Sequence, residues 1–184
     1  MVRQGRRALL LVAFVAFEGV AQEQCGACHG PDGNSVQPGV PSIAAQPKLF
    51  LETQLVLFRE ELRRSEQMLP VVRGMKDAQI VALAQHFSQL AARPMEPGPA
   101  DAALMKRGMA RAKELRCGTC HLADFSGQKQ VPRLAGQREQ YLAAEMRAYR
   151  DDKRSGGDTI MAAALYGVSD ADIRALAHFL ARAR

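Results

Sequence analysis

The sequence predicts an all-α protein of two tandem domains joined by a short proline-rich linker. Apolar residues recur at the spacing of a helix face, and no stretch shows the alternation that a half-buried strand requires. The order of motifs in the first half also repeats in the second. With 184 residues, 47% of them hydrophobic, the chain is long and apolar enough for two small domains.

The N-terminal segment, from Met1 to Ala21, predicts a secretory signal peptide. A basic region with three arginines precedes an unbroken apolar stretch over residues 8–17, and small residues lead to a cleavage site after Ala21. The alternative is an uncleaved membrane anchor, but a span needs about 20 apolar residues, and Glu18 interrupts this run. Export to an oxidising compartment, the periplasm, is therefore predicted.

An internal repeat indicates the domain organisation. The segment Cys25–His29 recurs 92 residues later as Cys117–His121, and Pro41–Gln46 recurs 91 residues later as Pro132–Gln137. An offset that changes so little indicates the duplication of one domain.

The predicted domains cover residues 22–93 and 101–184. Between them, residues 94–100 hold three prolines, which cannot continue a helix. The second domain should open with a helix that starts at Asp101 and runs to about residue 116.

Both domains are predicted to share a pair of main helices. Apolar stripes mark the first helix over residues 49–63 and 141–149, and the second over residues 80–90 and 173–180. Ser169, with an aspartate three residues later, is expected to cap the last of these helices.

Two Cys-x-x-Cys-His motifs predict the chemistry of the chain. Two thiols three positions apart can each add to one vinyl group of a haem, and the next residue can place an imidazole under the iron. The motifs therefore predict two covalently bound haem c groups, one per domain. The attachment residues are Cys25, Cys28, Cys117 and Cys120, and the axial histidines are His29 and His121.

Three other uses of the cysteines stay open at this point: structural disulfides, a four-thiolate zinc site and a redox dithiol. A compact zinc site has about 15–20 residues between its cysteine pairs, whereas 88 residues separate these pairs. No thioredoxin-like alternation of strand and helix surrounds either pair. None of the three uses requires the histidine that follows each pair, so haem attachment is favoured.

Methionine sulfur is the predicted second axial ligand in each domain. Met68 follows His29 at nearly the same separation as Met161 follows His121, so the repeat relates the two methionines. Both are expected in loops that could fold over the haem. Less favoured as ligands are the methionines without a counterpart and two helix histidines, namely Met75, Met95, Met105, Met109, Met146, His86 and His178.

A proline follows each axial histidine at nearly the same distance. Pro41 follows His29 and Pro132 follows His121, and the two spacings differ by only one position. A backbone carbonyl at such a turn could accept the Nδ1 proton of the imidazole and fix the ring. Because both halves keep the proline, we expect it to support the haem pocket rather than to mark an ordinary turn.

The charge of the chain does not predict nucleic-acid binding. The formal net charge is +6, of which the signal segment accounts for +2. Residues 22–93 are neutral and residues 94–184 carry +4, which the four propionates of two haems would cancel. No basic run is interleaved with aromatic residues, as a binder of single strands would require.

The ordered set of motifs resembles the dihaem cytochrome c4 family over nearly all of the predicted mature chain. This resemblance implies two class I cytochrome c domains that face each other across an interface, each with a His/Met-ligated haem. It also implies electron delivery toward a terminal oxidase. The residues that carry the resemblance are Cys25 to Gly33, Pro41, Gln46, Phe50, Leu51, Phe58 and Arg59, then Pro132 to Gln137, Tyr141, Leu142, Tyr149, Arg150, Met161 and Ser169 to Ile173.

The resemblance has three departures and one rival. Leu122 stands where Gly30 follows the first motif, and the loop after the second motif is one residue shorter. Only three residues would precede Cys25 after cleavage, where the family has a helix. The stretch over residues 33–44 is also similar to the dihaem subunit of flavocytochrome c sulfide dehydrogenases, which accepts electrons from a separate flavin subunit. The matching further implies that Arg59 and Arg150 lie near haem propionates or the domain interface, with exposed helix ends as the alternative.

An electron-transfer protein is therefore favoured over an enzyme, since two axial side chains close each iron to substrate. Its expected partners are redox proteins: a membrane oxidase or quinol-oxidising complex, or a flavoprotein subunit. Contact with the membrane surface is compatible with such partners. A dihaem peroxidase is the disfavoured alternative, because it needs one open iron with an acid–base residue beside it, and the sequence shows no such residue.

Overall fold

The computed structural model describes residues 22–93, 98–154, 156 and 159–184. The predicted signal peptide with its cleavage site lies outside these residues, as do positions 94–97 of the predicted linker. Within the described ranges, no helix is long and apolar enough to cross a membrane.

The first half places its haem-attachment motif on helix α1, which covers residues 22–29. Helix α2 (Lys48–Arg59) and helix α4 (Asp77–Gln89) carry the two predicted apolar stripes and pack against each other. The short helix α3 (Leu69–Val72) lies between them in the chain and contacts α2.

The second half repeats this order after one additional helix. No strand forms among the described residues beyond an isolated bridge between Gln128 and Val131, so the all-α prediction is confirmed. The repeat relates α2 to α7, α3 to α8 and α4 to α9. The helices are α5 (Ala102–Glu114), α6 (Gly118–His121), α7 (Glu139–Arg150), α8 (Thr159–Leu165) and α9 (Asp170–Leu180).

Side-chain caps set the starts of α5 and α9 where the sequence indicates. The Asp101 carboxylate accepts hydrogen bonds from the backbone N–H groups of Ala103 and Leu104, at 2.8 and 3.0 Å. The Ser169 hydroxyl accepts one from the N–H of Asp172 at 3.1 Å. Each bond satisfies an N–H that the helix itself leaves without a partner.

Helix α5 crosses α9 at Gly108, where the two backbones approach closely. A Cβ at this position would lie 2.2 Å from the carbonyl oxygen of Ala175, so only glycine allows the contact. The buried core of the second half surrounds this crossing, and the core cluster described in the first half is smaller. The two clusters consist of Ala112, Leu142, Met146, Leu165, Val168, Ile173, Leu176, Ala177, Leu180 and Ala181, and of Leu51, Leu83, Ala84 and Phe87.

The two predicted axial methionines differ in their position: Met68 lies in the turn before a short helix, as the sequence predicts, whereas Met161 lies within a helix and not in a loop. Met68 directly precedes α3, and Met161 lies within α8. Helix α3 tolerates Pro70 because a proline in the first turn removes no intrahelical hydrogen bond. Helix α8 contains three consecutive alanines, the residue with the highest helix propensity.

Two arginines related by the repeat join the two main helices of each domain. Nη1 of Arg59 donates to the carbonyl of Met75 at 2.9 Å and to the carboxylate of Asp77 at 2.8 Å, which joins the end of α2 to the start of α4. Arg150 makes the equivalent pair of bonds at the start of α9. These contacts give both arginines a role inside their own domain that the sequence did not indicate.

The two halves meet through a pair of buried glutamines that the repeat relates. Oε1 of Gln46 accepts the N–H of Arg133 at 2.9 Å, and its Nε2 donates to the carbonyl of Arg133 at 3.0 Å. Gln137 makes the same two bonds with Ser42, both at 2.8 Å. Since residues 42 and 133 are also equivalent in the repeat, the two pairs are isologous and give the interface a local pseudo-two-fold symmetry.

A second group of polar contacts crosses the interface beside the glutamines. Nη2 of Arg63 donates to Glu145 at 3.1 Å and to the hydroxyl of Tyr141 at 3.2 Å. Arg154 donates to the side chain of Gln54 at 3.1 Å in the other direction. Directional bonds from both halves thus specify how the domains face each other.

Candidate haem-attachment sites

Each motif histidine is held by one of its two ring nitrogens. Nδ1 of His29 lies 2.8 Å from the carbonyl oxygen of Pro41, and Nδ1 of His121 lies 2.8 Å from that of Pro132. Because a carbonyl can only accept, Nδ1 carries the proton in this bond and Nε2 keeps its lone pair. Each ring therefore presents Nε2 in a fixed orientation, as a metal ligand requires.

Burial keeps both imidazoles in the neutral form that binds iron. His29 and His121 are only 8% and 5% exposed. Desolvation lowers the pKa of each ring below its ordinary value, and the hydrogen bond to proline opposes this effect without cancelling it. Nε2 of each neutral imidazole carries no proton, so no proton has to be lost before a metal binds there at neutral pH.

The four cysteines form no disulfide with one another, and one member of each pair is partly buried while the other is exposed. Burial raises the pKa of Cys25 to about 11 and also raises that of Cys117. A redox dithiol depends on a thiol whose pKa is lowered, so this environment disfavours that use. Within the described ranges, no three or more metal-ligating side chains cluster, which also disfavours a four-thiolate zinc site.

The same residues fit a covalently attached haem. In each half a pair of cysteines lies three positions apart, directly before an imidazole with a free Nε2. Addition of a thiol S–H across a vinyl double bond forms a thioether and creates no charge, so a partly buried cysteine can take part without a desolvation cost for an ion.

The methionines around the two motifs are not arranged alike. In the second half, Met161 packs against the core cluster that Cys117 also contacts. In the first half, Met75 rather than Met68 packs against the described cluster, and Cys25 lies against the same cluster. The repeat gave no signal for Met75, because the second half has no methionine at the corresponding position.

His178 is engaged by protein groups at both ring nitrogens. The N–H of Asp101 donates to its Nε2 at 3.0 Å, and its Nδ1 lies 3.1 Å from a carboxylate oxygen of Glu139. The ring thereby joins the starts of α5 and α7 to α9. With no free nitrogen, His178 serves as a structural residue and not as an iron ligand.

Two helical domains, each with a Cys-x-x-Cys-His motif whose imidazole is buried and oriented by a proline carbonyl, define a tandem c-type cytochrome.

Comparisons with known proteins agree with this class. The cytochrome c family model matches residues 18–91 and 105–184. Cytochrome c4 of Thiocapsa roseopersicina is 31% identical over 90% of this chain and 90% of its own length. The crystal structure of reduced cytochrome c4 from Pseudomonas stutzeri is similar with a TM-score of 0.80 and 28% identity, over 91% of this chain and 98% of that one. A thiosulfate dehydrogenase electron acceptor of Thiomonas intermedia is 32% identical over 85% of this chain and 77% of its own length.

The chain belongs to the cytochrome c family and, within it, to the dihaem cytochromes c4. It carries two covalent haem c groups, bound through Cys25 and Cys28 in the first domain and through Cys117 and Cys120 in the second. Its function is electron transfer.

Proposed function

We propose that the chain is an exported, periplasmic carrier that passes single electrons between redox proteins, with six-coordinate iron in both domains. The observation that supports this proposal best is the equivalent histidine geometry, in which each neutral imidazole is oriented by a proline carbonyl at 2.8 Å. Two imidazoles with the same orientation and similar burial indicate two haems with the same coordination. A peroxidase instead needs one iron with an open coordination position.

The axial ligands in this proposal are His29 with Met68, and His121 with Met161. Bound haem supplies the one-electron chemistry, and a methionine sulfur raises its potential relative to harder ligands. The carbonyls of Pro41 and Pro132 would hold the Nδ1 protons while the iron changes oxidation state, so that electron transfer would need no proton transfer at these rings.

The domain boundaries belong to the same proposal: a first domain over residues 22–93, a linker over residues 94–100 and a second domain over residues 101–184. The described helices support it, since α4 ends at Gln89 and α5 starts after the cap at Asp101. The predicted signal peptide over residues 1–21 supports export.

Mutation of the methionines tests the coordination. Met161→Ala and Met68→Ala are each expected to lower the potential of one haem and to open its iron to carbon monoxide in the reduced protein, because the sixth position loses its sulfur. Met109→Ala serves as the control in the second domain, since this methionine is 57% exposed. Binding of carbon monoxide to the reduced wild-type protein would contradict the closed-carrier proposal.

Met75→Ala is the informative comparison in the first domain, because Met75 packs against the described core cluster there. We expect Met75→Ala to leave the haem potential and the resistance to carbon monoxide unchanged. The opposite pattern, with Met75→Ala opening the iron and Met68→Ala without effect, would assign the first axial methionine to Met75.

The physiological partners divide into two candidates. Delivery toward a terminal oxidase is the first, and a dedicated electron-accepting subunit of a dehydrogenase is the second. The Thiomonas relative, named as the electron acceptor of thiosulfate dehydrogenase, supports the second. Gentle extraction followed by native sizing of the haem-stained species separates them: a free species near 20 kDa indicates a diffusible carrier. A larger species indicates a subunit, and flavin fluorescence in it would identify a flavin dehydrogenase.

A further inference from the structure

A single peptide group links each motif histidine to the opposite domain. The carbonyl of Pro41 accepts the Nδ1 proton of His29 at 2.8 Å. The N–H of the same peptide group belongs to Ser42, and it donates to Oε1 of Gln137 at 2.8 Å. A continuous path of hydrogen bonds thus runs from the imidazole in the first domain, through one amide, to a side chain of the second domain.

The second domain contains the equivalent path in the other direction. The carbonyl of Pro132 accepts the Nδ1 proton of His121 at 2.8 Å, and the N–H of Arg133 in that peptide group donates to Oε1 of Gln46 at 2.9 Å. Each domain therefore supplies the glutamine that completes the path to the histidine of the other.

The orientation of both glutamine amides is fixed by a second bond. Nε2 of Gln137 donates to the carbonyl of Ser42, and Nε2 of Gln46 donates to the carbonyl of Arg133. A flipped amide would place a donor against a donor and an acceptor against an acceptor. With Gln46 and Gln137 only 3% and 2% exposed, water has little access to replace these bonds.

The peptide group transmits this bond because its nitrogen and carbonyl are conjugated. An acceptor at the N–H draws electron density onto the carbonyl oxygen, which then accepts the imidazole proton more strongly; such chains of hydrogen bonds reinforce one another in a low-dielectric interior. A stronger bond at Nδ1 makes Nε2 a better donor to iron and favours the ferric state.

We infer that Gln46 and Gln137 are positioning residues that lower the potential of the haem in the opposite domain, Gln46 through His121 and Gln137 through His29. The inference rests on the proposed role of the two histidines as axial ligands. It makes domain contact itself part of the tuning, since separation of the domains would remove both bonds and raise both potentials.

The two paths are not of equal strength. Oε1 of Gln137 also accepts the N–H of Arg138 at 2.9 Å, so this oxygen is shared between two donors. We therefore expect the larger effect for the path from Gln46 to His121.

The test uses the full-length, two-haem protein with Gln46→Met and Gln137→Met, which keep side-chain length and remove the acceptor. Gln54→Met is the matched control, because Gln54 lies in the same interface and bonds Arg63 and Arg154 instead of either peptide group. The potential of each haem is measured separately by redox titration with domain-resolved NMR signals. The Nδ1 proton resonance of each axial histidine is followed in the reduced protein.

We expect Gln46→Met to shift the redox equilibrium of the second-domain haem toward the ferrous state by about threefold. A threefold shift corresponds to about 28 mV for one electron. It is smaller than the tenfold or more by which loss of a partner bonded directly to a metal ligand typically changes metal affinity or activity. The first-domain haem should keep its potential. Gln137→Met should give the reverse pattern with a smaller shift, and Gln54→Met should change neither potential.

A shift in the haem of the mutated residue's own domain, or an equal shift in both haems, would overturn the inference and assign the effect to loosening of the interface. An unchanged potential and Nδ1 resonance in the opposite domain would overturn it as well. Should Gln46→Met not accumulate with two haems, Gln137→Met decides the inference by itself, through a raised first-domain potential beside an unchanged second-domain potential. Failure of the proposed function is seen separately, as carbon monoxide binding to the reduced wild-type protein.

Discussion

Replacement of Gly108 by alanine tests whether the crossing of α5 and α9 is limited by backbone contact. Alanine is the better helix former by about 1 kcal/mol, so at an exposed helix position this substitution would stabilise the protein. At Gly108, however, the new Cβ would lie 2.2 Å from the carbonyl oxygen of Ala175 and 2.6 Å from Cβ of Phe179. Real Cβ atoms essentially never approach below 3.0 Å, so the two helices must separate by about 0.8 Å.

The cost of this separation can be estimated from the atoms involved. Overpacking in a core costs about 1–3 kcal/mol, and the upper end applies here because the obstructing atom is backbone and cannot rotate away. After the gain in helix propensity, the net loss in the free energy of unfolding should be about 2 kcal/mol. For a domain of this size that lowers the melting temperature by about 8–16 °C.

Guanidinium and thermal unfolding of the two-haem protein, followed at the second-domain haem, would measure this loss. Ala110→Gly on the exposed side of α5 is the matched control, and it should cost about 1 kcal/mol through helix propensity alone. A Gly108→Ala protein as stable as the wild type, or more stable, would refute the reasoning, since propensity would then outweigh contact.

Three further substitutions test electrostatic contacts. Arg133→Ser should lower the potential of the second-domain haem, because the guanidinium is a buried cation on the residue next to Pro132 and its loss favours the ferric state; redox titration that finds no change would refute this. The bond from Arg107 holds the pKa of Asp172 below its usual value, so the stability it contributes is present above about pH 4 and is lost as the pH falls through the folded pKa. Asp172→Asn should therefore show a smaller loss of unfolding free energy than the wild type between about pH 5 and pH 3, and equal losses would count against the assignment. Arg63→Met removes the bond to Glu145 across the interface and should cost about 2 kcal/mol, seen in calorimetry as separation of the two domain transitions; an unchanged single transition would exclude this role.

Local sequence was sufficient to predict the main helices and the attachment motifs, although not the short helices α3 and α8. The stripes over α2, α4, α7 and α9 repeat at 3.6 residues, and the caps at Asp101 and Ser169 act within three residues of themselves. The Cys-x-x-Cys-His motif spans five consecutive positions. Each of these features depends on covalent neighbours, so a linear pattern carries the information.

The internal repeat extended the prediction beyond local range. It placed Pro41 and Pro132 at equivalent distances from the two histidines, and the structure has both carbonyls 2.8 Å from Nδ1. The repeat was less informative wherever one half departs from the other. Met75 lies against a core cluster without a counterpart in the second half, and the pattern therefore gave it no weight.

The sequence by itself determined the duplicated all-α architecture, the two haem-attachment sites and the family, because these depend on short-range spacing and on its repetition. Only the tertiary structure decided that α5 meets α9 at Gly108, and that Gln46 and Gln137 each bond the peptide group beside the opposite domain's histidine. These contacts join residues 67 to 95 positions apart. A backbone amide offers the same N–H and carbonyl at every position, so no side-chain pattern marks the one that a distant glutamine will bind.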